Sequence, residues 1–355
     1  MAATIKSLHI RNFTVFTDVH VDFSPQINVI VGENGVGKSH LLKLPYSILS
    51  ASAEDRKKPD ASGPTKAGLQ QKLAEKLIGV LRPESLGRLA RRQTGRAQCQ
   101  IECRFSLADY QIDFQFSTRS ESNLSISKLP SKWITPPPVF LPTRELLSIF
   151  PNFVSVYDNS YLDYEETWRD TCVLLGAPAV RGAREAGVRE LLTPLEDALG
   201  GKIELDKSGR FYLNIPTQGR FEIPLVAEGL RKLAMLARLI ATGSLLDKGY
   251  LFWDEPEANL NPKLIRQVAR VILQLCKHGI QVFIASHSLF LLRELDILLR
   301  SPEFESMKPQ FIGLHPGDDG VTVEQGSTLD DIGDITSLHE ELLQSDRYLD
   351  DEGSA

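Results

Sequence analysis

Residues 32–39, GENGVGKS, leave this chain few ways to fold. They fit G-x-x-x-x-G-K-S, a loop whose backbone N–H groups close around phosphates. Such a loop works between a buried strand and a helix start, where the helix end adds positive potential. Both flanks comply. The preceding INVIV is short, apolar and β-branched, as a strand covered on both faces requires. The following HLLKLPYSIL has the apolar spacing of a helix. Asn34, Gly35, Gly37, Lys38, Ser39 and His40 are therefore candidate nucleotide-binding positions. Lys38 would reach the β/γ-phosphates, and Ser39 would hold Mg2+.

A length of 355 residues allows one large domain or two smaller ones. No apolar run approaches the ~20 residues that span a bilayer. The start, MAATIKSLHIRNF, lacks the apolar stretch of a secretion signal. A cytoplasmic location with no membrane contact is expected. The four cysteines show no zinc-type spacing and read as reduced core thiols. Net charge is −6, but unevenly spread. Positions 51–98 hold eleven Lys/Arg against five Asp/Glu, and positions 316–355 hold twelve Asp/Glu against one basic residue, Arg347. The two segments are either surfaces for different partners or solvated faces.

Six segments follow along the chain. Residues 1–50 read as strands, the phosphate loop and its helix. Residues 51–98 are a basic insertion with an amphipathic helix on which Leu69, Leu73, Leu77 and Val80 or Leu81 share a face. Within it, Arg88, Arg91, Arg92 and Arg96 are candidates for contact with DNA or an acidic partner. Residues 99–145 alternate as a β-hairpin and then give a short apolar strand and the segment FLPTREL. Residues 146–226 read as a helical lobe followed by two or three short strands. Residues 227–315 alternate helices with buried strands, the pattern of a parallel α/β sheet. Residues 316–355 form an acidic tail with one helix near 335–343, and Ile332, Ile335, Leu338 and Leu342 share its apolar stripe. Asp330, Asp331 and Asp334 read as a solvated or partner-binding face.

Two further motifs carry chemistry. In LFWDEPEANLNP an apolar strand runs into Asp254 and Glu255. Mg2+ needs a hard oxygen ligand besides Ser39, which Asp254 supplies. An attacking water needs a carboxylate base, which Glu255 supplies. In QVFIASHS a buried strand ends at His287, on the sheet edge where open α/β sheets bind ligands. His287 is thus a second catalytic candidate, placed to meet the γ-phosphate region.

With these motifs in order, the chain resembles ABC-type ATPases of the SMC/RecF branch. More narrowly, it is similar to the "AAA family ATPases" of prokaryotic anti-phage defence, such as those of the Septu system, retron-linked relatives and the OLD-like group. The segments that carry the likeness are IRNFTVFTDVHVDF, GENGVGKS, FLPTREL, VAEGLRKLAML, FWDEPEANLNP and ASHS. The resemblance implies an α/β ABC-type ATPase head, with a parallel P-loop sheet, an antiparallel β layer and a helical insertion or lobe. It implies ATP and Mg2+ as cofactors, and a homodimer or higher homo-oligomer in which Glu228 and Gly229 contact the partner's nucleotide. Ala227 stands where the family has a serine. ANLNP resembles the interface-crossing D-loop. FLPTREL replaces the family's Q-loop glutamine, leaving Thr143, Arg144 and Glu145 as alternatives. Arg11 and Asn12 resemble nucleotide contacts near the first strand.

The function so implied is ATP hydrolysis in a head-to-tail dimer that regulates an effector protein encoded nearby, a nuclease, in anti-phage defence or DNA processing. The alternatives are an SMC/RecF-like DNA-repair ATPase and, further off, the nucleotide-binding subunit of an ABC transporter.

Overall fold

The computed structural model describes residues 3–53, 63–92, 97–135, 137–159, 162–180, 185–246, 249–335, 340, 342–344 and 346–348. Its main sheet is built on β3 (Ile27–Gly32). On one side lie β12 (Gln281–Ser286), β11 (Tyr250–Asp254) and β7 (Val139–Leu141), all parallel. On the other lies parallel β13 (Gln310–Gly317), and β14 (Gly320–Gly326) closes the edge antiparallel to it. Every residue of β3, β11 and β12 is buried. Successive side chains enter two different cores. Val29, Val31, Leu251, Trp253, Val282 and Ile284 enter one; Ile30, Tyr250, Phe252, Phe283 and Ala285 enter the other. A strand clothed on both faces needs apolar residues at every position, which is why these segments read as unbroken apolar runs.

The first core is closed by α5 (Glu185–Leu199), α6 (Glu228–Ala241), α7 (Pro262–Lys277) and α8 (Leu289–Leu299). A small antiparallel sheet of β8 (Lys202–Leu205), β9 (Phe211–Ile215) and β10 (Gly219–Glu222) adjoins it. The second core lies beneath the antiparallel sheet β2 (Phe16–Asp22), β1 (Ile5–Phe13), β4 (Gln98–Phe105), β5 (Ile112–Ser117) and β6 (Ser125–Lys128), in that order. Its other wall is α1 (Lys38–Ala51) with α2 (Lys66–Leu81).

The amphipathic helix of the basic segment is α2, and Leu69, Leu73, Leu77 and Val80 are fully buried. Lys76 Nζ lies 2.7 Å from both Glu166 and Asp170 of α4 (Glu166–Leu175). Tyr46 of α1 donates to Asp170 at 2.6 Å. The helix is thus locked into the body of the fold rather than set apart from it. The helix after β7 begins late, as α3 (Phe150–Asp158). Residues 142–149 turn first, and there the backbone N–H and hydroxyl of Ser148 donate to Glu145. The first helix of residues 227–315, α6, ends at Ala241, and Gly243 follows with a left-handed φ of 69°. β14 extends the sheet beyond position 316, so the acidic segment opens as a strand and continues with buried Ile332 and Ile335. Leu338 and most of the first turn of the expected tail helix lie outside the described residues, as does Arg96. All four cysteines are free and buried.

Candidate functional site

Three strand ends converge at the C-terminal edge of the parallel sheet. From β3 the chain enters the phosphate loop, in which Gly35 and Gly37 have φ of 87° and 92°. Gly37 is required for a second reason. A Cβ there would sit 2.7 Å from Val15 Cγ2, because the β1–β2 turn packs on the loop. Thr14 of that turn lies 3.1 Å from His40 Nδ1. Lys38 is buried and donates to the carbonyls of Gly32 and Glu33, each at 2.8 Å. Burial lowers its pKa, and Glu255, Asp254, Glu257 and Glu33 oppose the shift.

Asp254 ends β11, buried. Burial raises its pKa, while a hydrogen bond from Ser39 and the charge of Lys43 pull it down. The Ser39 hydroxyl and the Asp254 carboxylate are thus neighbours. Glu255 follows with φ 47°, a left-handed conformation a non-glycine residue adopts at a cost. Three contacts hold it there. Its N–H donates to Ala285 O at 2.9 Å. Its carbonyl accepts from Ala258 N–H at 3.1 Å and from Lys232 Nζ at 2.6 Å. His287, just past β12, brings Nδ1 to 3.3 Å from Glu255 Oε1 without a hydrogen bond among the described residues. Side-chain exposures of 44% for His287 and 28% for Glu255 open this pair to the sheet edge. A cleft of about 400 Å³ runs from Asp254 past Lys43, Thr143, Arg144 and Glu165.

The donor set fits a nucleotide with Mg2+. Ser39 and Asp254 offer adjoining hard oxygens, and the loop leads into a helix N-terminus. No three His, Cys, Asp or Glu side chains gather into a metal cage among the described residues. A cation here would complete its shell with phosphate oxygens and water.

Other sequence-predicted residues stand elsewhere. Glu228 and Gly229 start α6 beside the D-loop-like turn: Asn259 Nδ2 donates to Glu228 at 3.0 Å, and Gly229 packs on the Asn259 carbonyl. Arg231 and Lys232, which follow in α6, turn inward. Arg231 meets Glu145 at 3.2 Å and donates to Ser148 at 3.0 Å. Glu145 is thus held against Arg231, while Thr143 and Arg144 line the cleft. Arg11 faces Asp18 at 3.4 Å and Gln100 at 3.4 Å, and the Asn12 side chain donates to Gln98 O at 3.1 Å. Both point along the antiparallel sheet, and it is Thr14 and Val15 of the same turn that reach α1 and the loop. Arg91 is an internal staple, donating to Val15 O at 2.8 Å and Asp319 O at 3.1 Å, whereas Arg92 is exposed and Arg88 pairs with Glu84 at 2.9 Å. Sequence reasoning missed Glu257 and Ser286 as site residues, and did not set Lys232 against Glu255. Glu257 lay in plain view beside Glu255, but nothing in the spacing distinguished a buried carboxylate from a solvated one.

Residues 103–293 match the family model described as "AAA domain, putative AbiEii toxin, Type IV TA system". Residues 7–135 match a second model, "AAA domain". Among curated proteins, the chain is 40% identical over 47 residues to the DNA replication and repair protein RecF of Ligilactobacillus salivarius, spanning 13% of this chain and 12% of that protein. It is 39% identical over 49 residues to RecF of Desulfitobacterium hafniense, spanning 14% and 13%. The matches thus cover only about an eighth of those relatives' length. Among solved structures, it is similar to an SMC head bound to the C-winged helix domain of ScpA, with 15% identity, TM-score 0.54, and 92% of this chain and 98% of that one covered. It is also similar to an SMC head with an extended coiled coil bound to the C-terminal domain of ScpA from Pyrococcus furiosus, with 13% identity, TM-score 0.52, and 97% and 100% covered. The fold is that of an SMC-head-like ABC ATPase.

Proposed function

This chain belongs to the AAA-domain family whose model spans residues 103–293, and from that premise we propose that it hydrolyses ATP with Mg2+ at the edge of its parallel sheet. The observation that carries the reading is the convergence of Lys38, Ser39 against Asp254, and Glu255 facing His287. Lys38 exchanges its two loop carbonyls for phosphate oxygens. Glu255 takes the proton of the attacking water at Oε1 as water displaces ADP from the γ-phosphoryl group. His287, 3.3 Å away, donates to the phosphate or to that carboxylate. Bound Mg2+ would neutralise developing phosphate charge. Asn34, Gly35, Gly37 and His40 supply the loop around the phosphates.

The reading extends to assembly. Glu228, Gly229 and the turn at 258–262 share one surface, suited to a second copy's nucleotide in a head-to-tail dimer. A partner effector, a nuclease in anti-phage defence, fits a chain in which no carboxylate metal cluster occurs among the described residues. The second reading, a RecF-like role in DNA processing, is favoured by the RecF identities.

Turnover and nucleotide binding measured side by side test the proposal. Glu255→Gln is expected to bind ATP normally and lose about 10²–10⁴ in rate, as for removal of a positioned base. Lys38→Ala is expected to lose binding itself. Wild-type hydrolysis by Glu255→Gln would overturn the assignment of Glu255 as the base.

A further inference from the structure

Glu257 lies two residues beyond the proposed base and is 7% exposed. Its Oε1 accepts a 2.6 Å hydrogen bond from the hydroxyl of Ser286, itself fully buried at the end of β12. Its Oε2 is buried and has no hydrogen-bond partner among the described residues. Retaining a carboxylate in such a place costs free energy that an apolar residue would not. The Ser286 hydroxyl also accepts from Ser288 N–H at 3.1 Å, and Ser288 caps α8 by accepting from Leu291 N–H at 3.3 Å. His287 is therefore held between two tied serines, while its ring makes no hydrogen bond of its own through Nδ1 among the described residues. Its orientation toward Glu255 comes from the backbone on either side.

We propose that Glu257 is a positioning residue: through Ser286 it fixes the end of β12 so that the His287 ring stands against Glu255. The turn Glu255–Pro256–Glu257 then sets both partners of the pair, one directly and one through the neighbouring strand. Burial pushes the pKa of this carboxylate up, and the Ser286 hydrogen bond and the charge of Lys232 oppose the shift. This rests on the reading of Glu255 and His287 given above.

The test uses the full chain with Ser286→Ala, Glu257→Leu, Glu257→Gln and the double variant S286A/E257L. Amide exchange over 286–291, measured without nucleotide, is expected to quicken at least about tenfold in S286A and E257L, since the bonds that hold the segment are lost. Turnover is expected to fall about 10–100-fold, as when a residue that orients a functional group is removed. Affinity for a fluorescent ATP analogue should stay within about threefold, because the phosphate loop is untouched. The double variant should lose no more than the worse single one, because the two side chains act as a unit. Glu257→Gln keeps an acceptor for Ser286 and should outperform Glu257→Leu at least about tenfold. If E257L does not fold, S286A, which removes one hydroxyl, decides alone. Unchanged exchange in S286A, or losses that add fully in the double variant, overturn the proposal. Faster exchange together with turnover that is indifferent to Glu255→Gln would instead retain the positioning role and sink the catalytic reading beneath it.

Discussion

The ammonium of Lys232, on α6, donates to the carbonyl of Glu255 at 2.6 Å and to that of Ala258 at 3.3 Å. A side chain of the signature-like helix thereby clamps the turn that carries the proposed base. Burial lowers Lys232 from 10.5 to about 8, against the pull of Glu257, Glu255, Asp254 and Glu228. The direction of the resulting pH effect follows. Between about pH 8 and 10.5 the native lysine has released its proton and the unfolded one has not. The unfolded chain then binds more protons, so this group makes stability rise with pH across that window. The rise is at most ~3 kcal/mol for a shift of this size. The four buried cysteine thiols, pushed up by burial, act in the opposite sense above about pH 9, so chemical denaturation at pH 8, 9 and 10 should give a more positive pH slope in the wild type than in Lys232→Met. Equal pH slopes for the two would remove Lys232 as its source.

Gly229 stands against the D-loop-like turn of its own chain. A Cβ added there would lie 2.5 Å from the Asn259 carbonyl oxygen, closer than atoms tolerate. Gly229→Ala is therefore expected to destabilise the chain by ~1–3 kcal/mol, the usual cost of overpacking. A lowered thermal midpoint without nucleotide would register it. A substitution at Gly229 thus perturbs packing in cis before it meets any partner's phosphate, and an unchanged midpoint would argue against the contact.

Ala227 offers the cleaner handle on the same helix. It is the N-cap of α6, with φ −56° and ψ 141°, and no side chain caps the helix. Ala227→Ser supplies an acceptor for the first-turn N–H groups and should stabilise by about 1 kcal/mol. It also restores the serine that the resembled family carries. Thermal denaturation tests the first effect and ATPase assays the second. A lowered midpoint would show that the helix start cannot use the hydroxyl.

The candidate site at the sheet edge is legible in the sequence because its residues are local. GENGVGKS, the pair Asp254–Glu255 and His287 each follow a strand whose apolar run declares itself. What stayed hidden was made by contacts distant in sequence. Lys232 stands 23 positions from Glu255 in sequence, and only the fold carries it 2.6 Å from Glu255 O. Arg91 counts toward a basic patch until Val15 and Asp319 claim it. β14 stays hidden because GVTVEQG holds two apolar residues among polar ones and glycines, and only its pairing with β13 makes it a strand. The lone strand read at β7 succeeded because prolines bracket it.

The basic segment should therefore divide under mutation. Arg91→Ala removes two hydrogen bonds to backbone carbonyls that tie the β1–β2 turn to the β13–β14 turn. It should lower stability by about 1–3 kcal/mol through the carbonyls left unmatched. Charge reversal at Arg88 and Arg92 should leave the thermal midpoint unchanged. If DNA binds this surface, that reversal should weaken binding and flatten its salt dependence, because fewer counterions are released. Filter binding across a salt series reads this out. Equal binding and slope in the reversed variant would show that Arg88 and Arg92 do not meet DNA.

The acidic segment separates likewise into a packed part and an outward part. Ile332 and Ile335 are 1% and 5% exposed and belong to the core beneath β13. Gly313 permits this approach, since a Cβ there would meet the Ile332 carbonyl at 2.4 Å. His315 Nε2 lies 2.8 Å from the same carbonyl, and a Thr328–Asp331 capping box orders the turn before it. Asp331 is thus committed within the chain. Truncation after Gln325 strips both isoleucines from the core and should cost about 3–6 kcal/mol, at roughly 1.5–3 kcal/mol for each buried side chain. Truncation after Ile335 keeps them and should leave the midpoint close to that of the full chain. Beyond it, Leu342 and Tyr348 are 38% and 64% exposed. Comparing the two truncations by thermal denaturation and by co-purification with the neighbouring gene product divides the roles. A stable 1–335 chain that loses the partner would assign recruitment to the outer part of the tail. A 1–325 chain as stable as the full one would refute the packing role of Ile332 and Ile335.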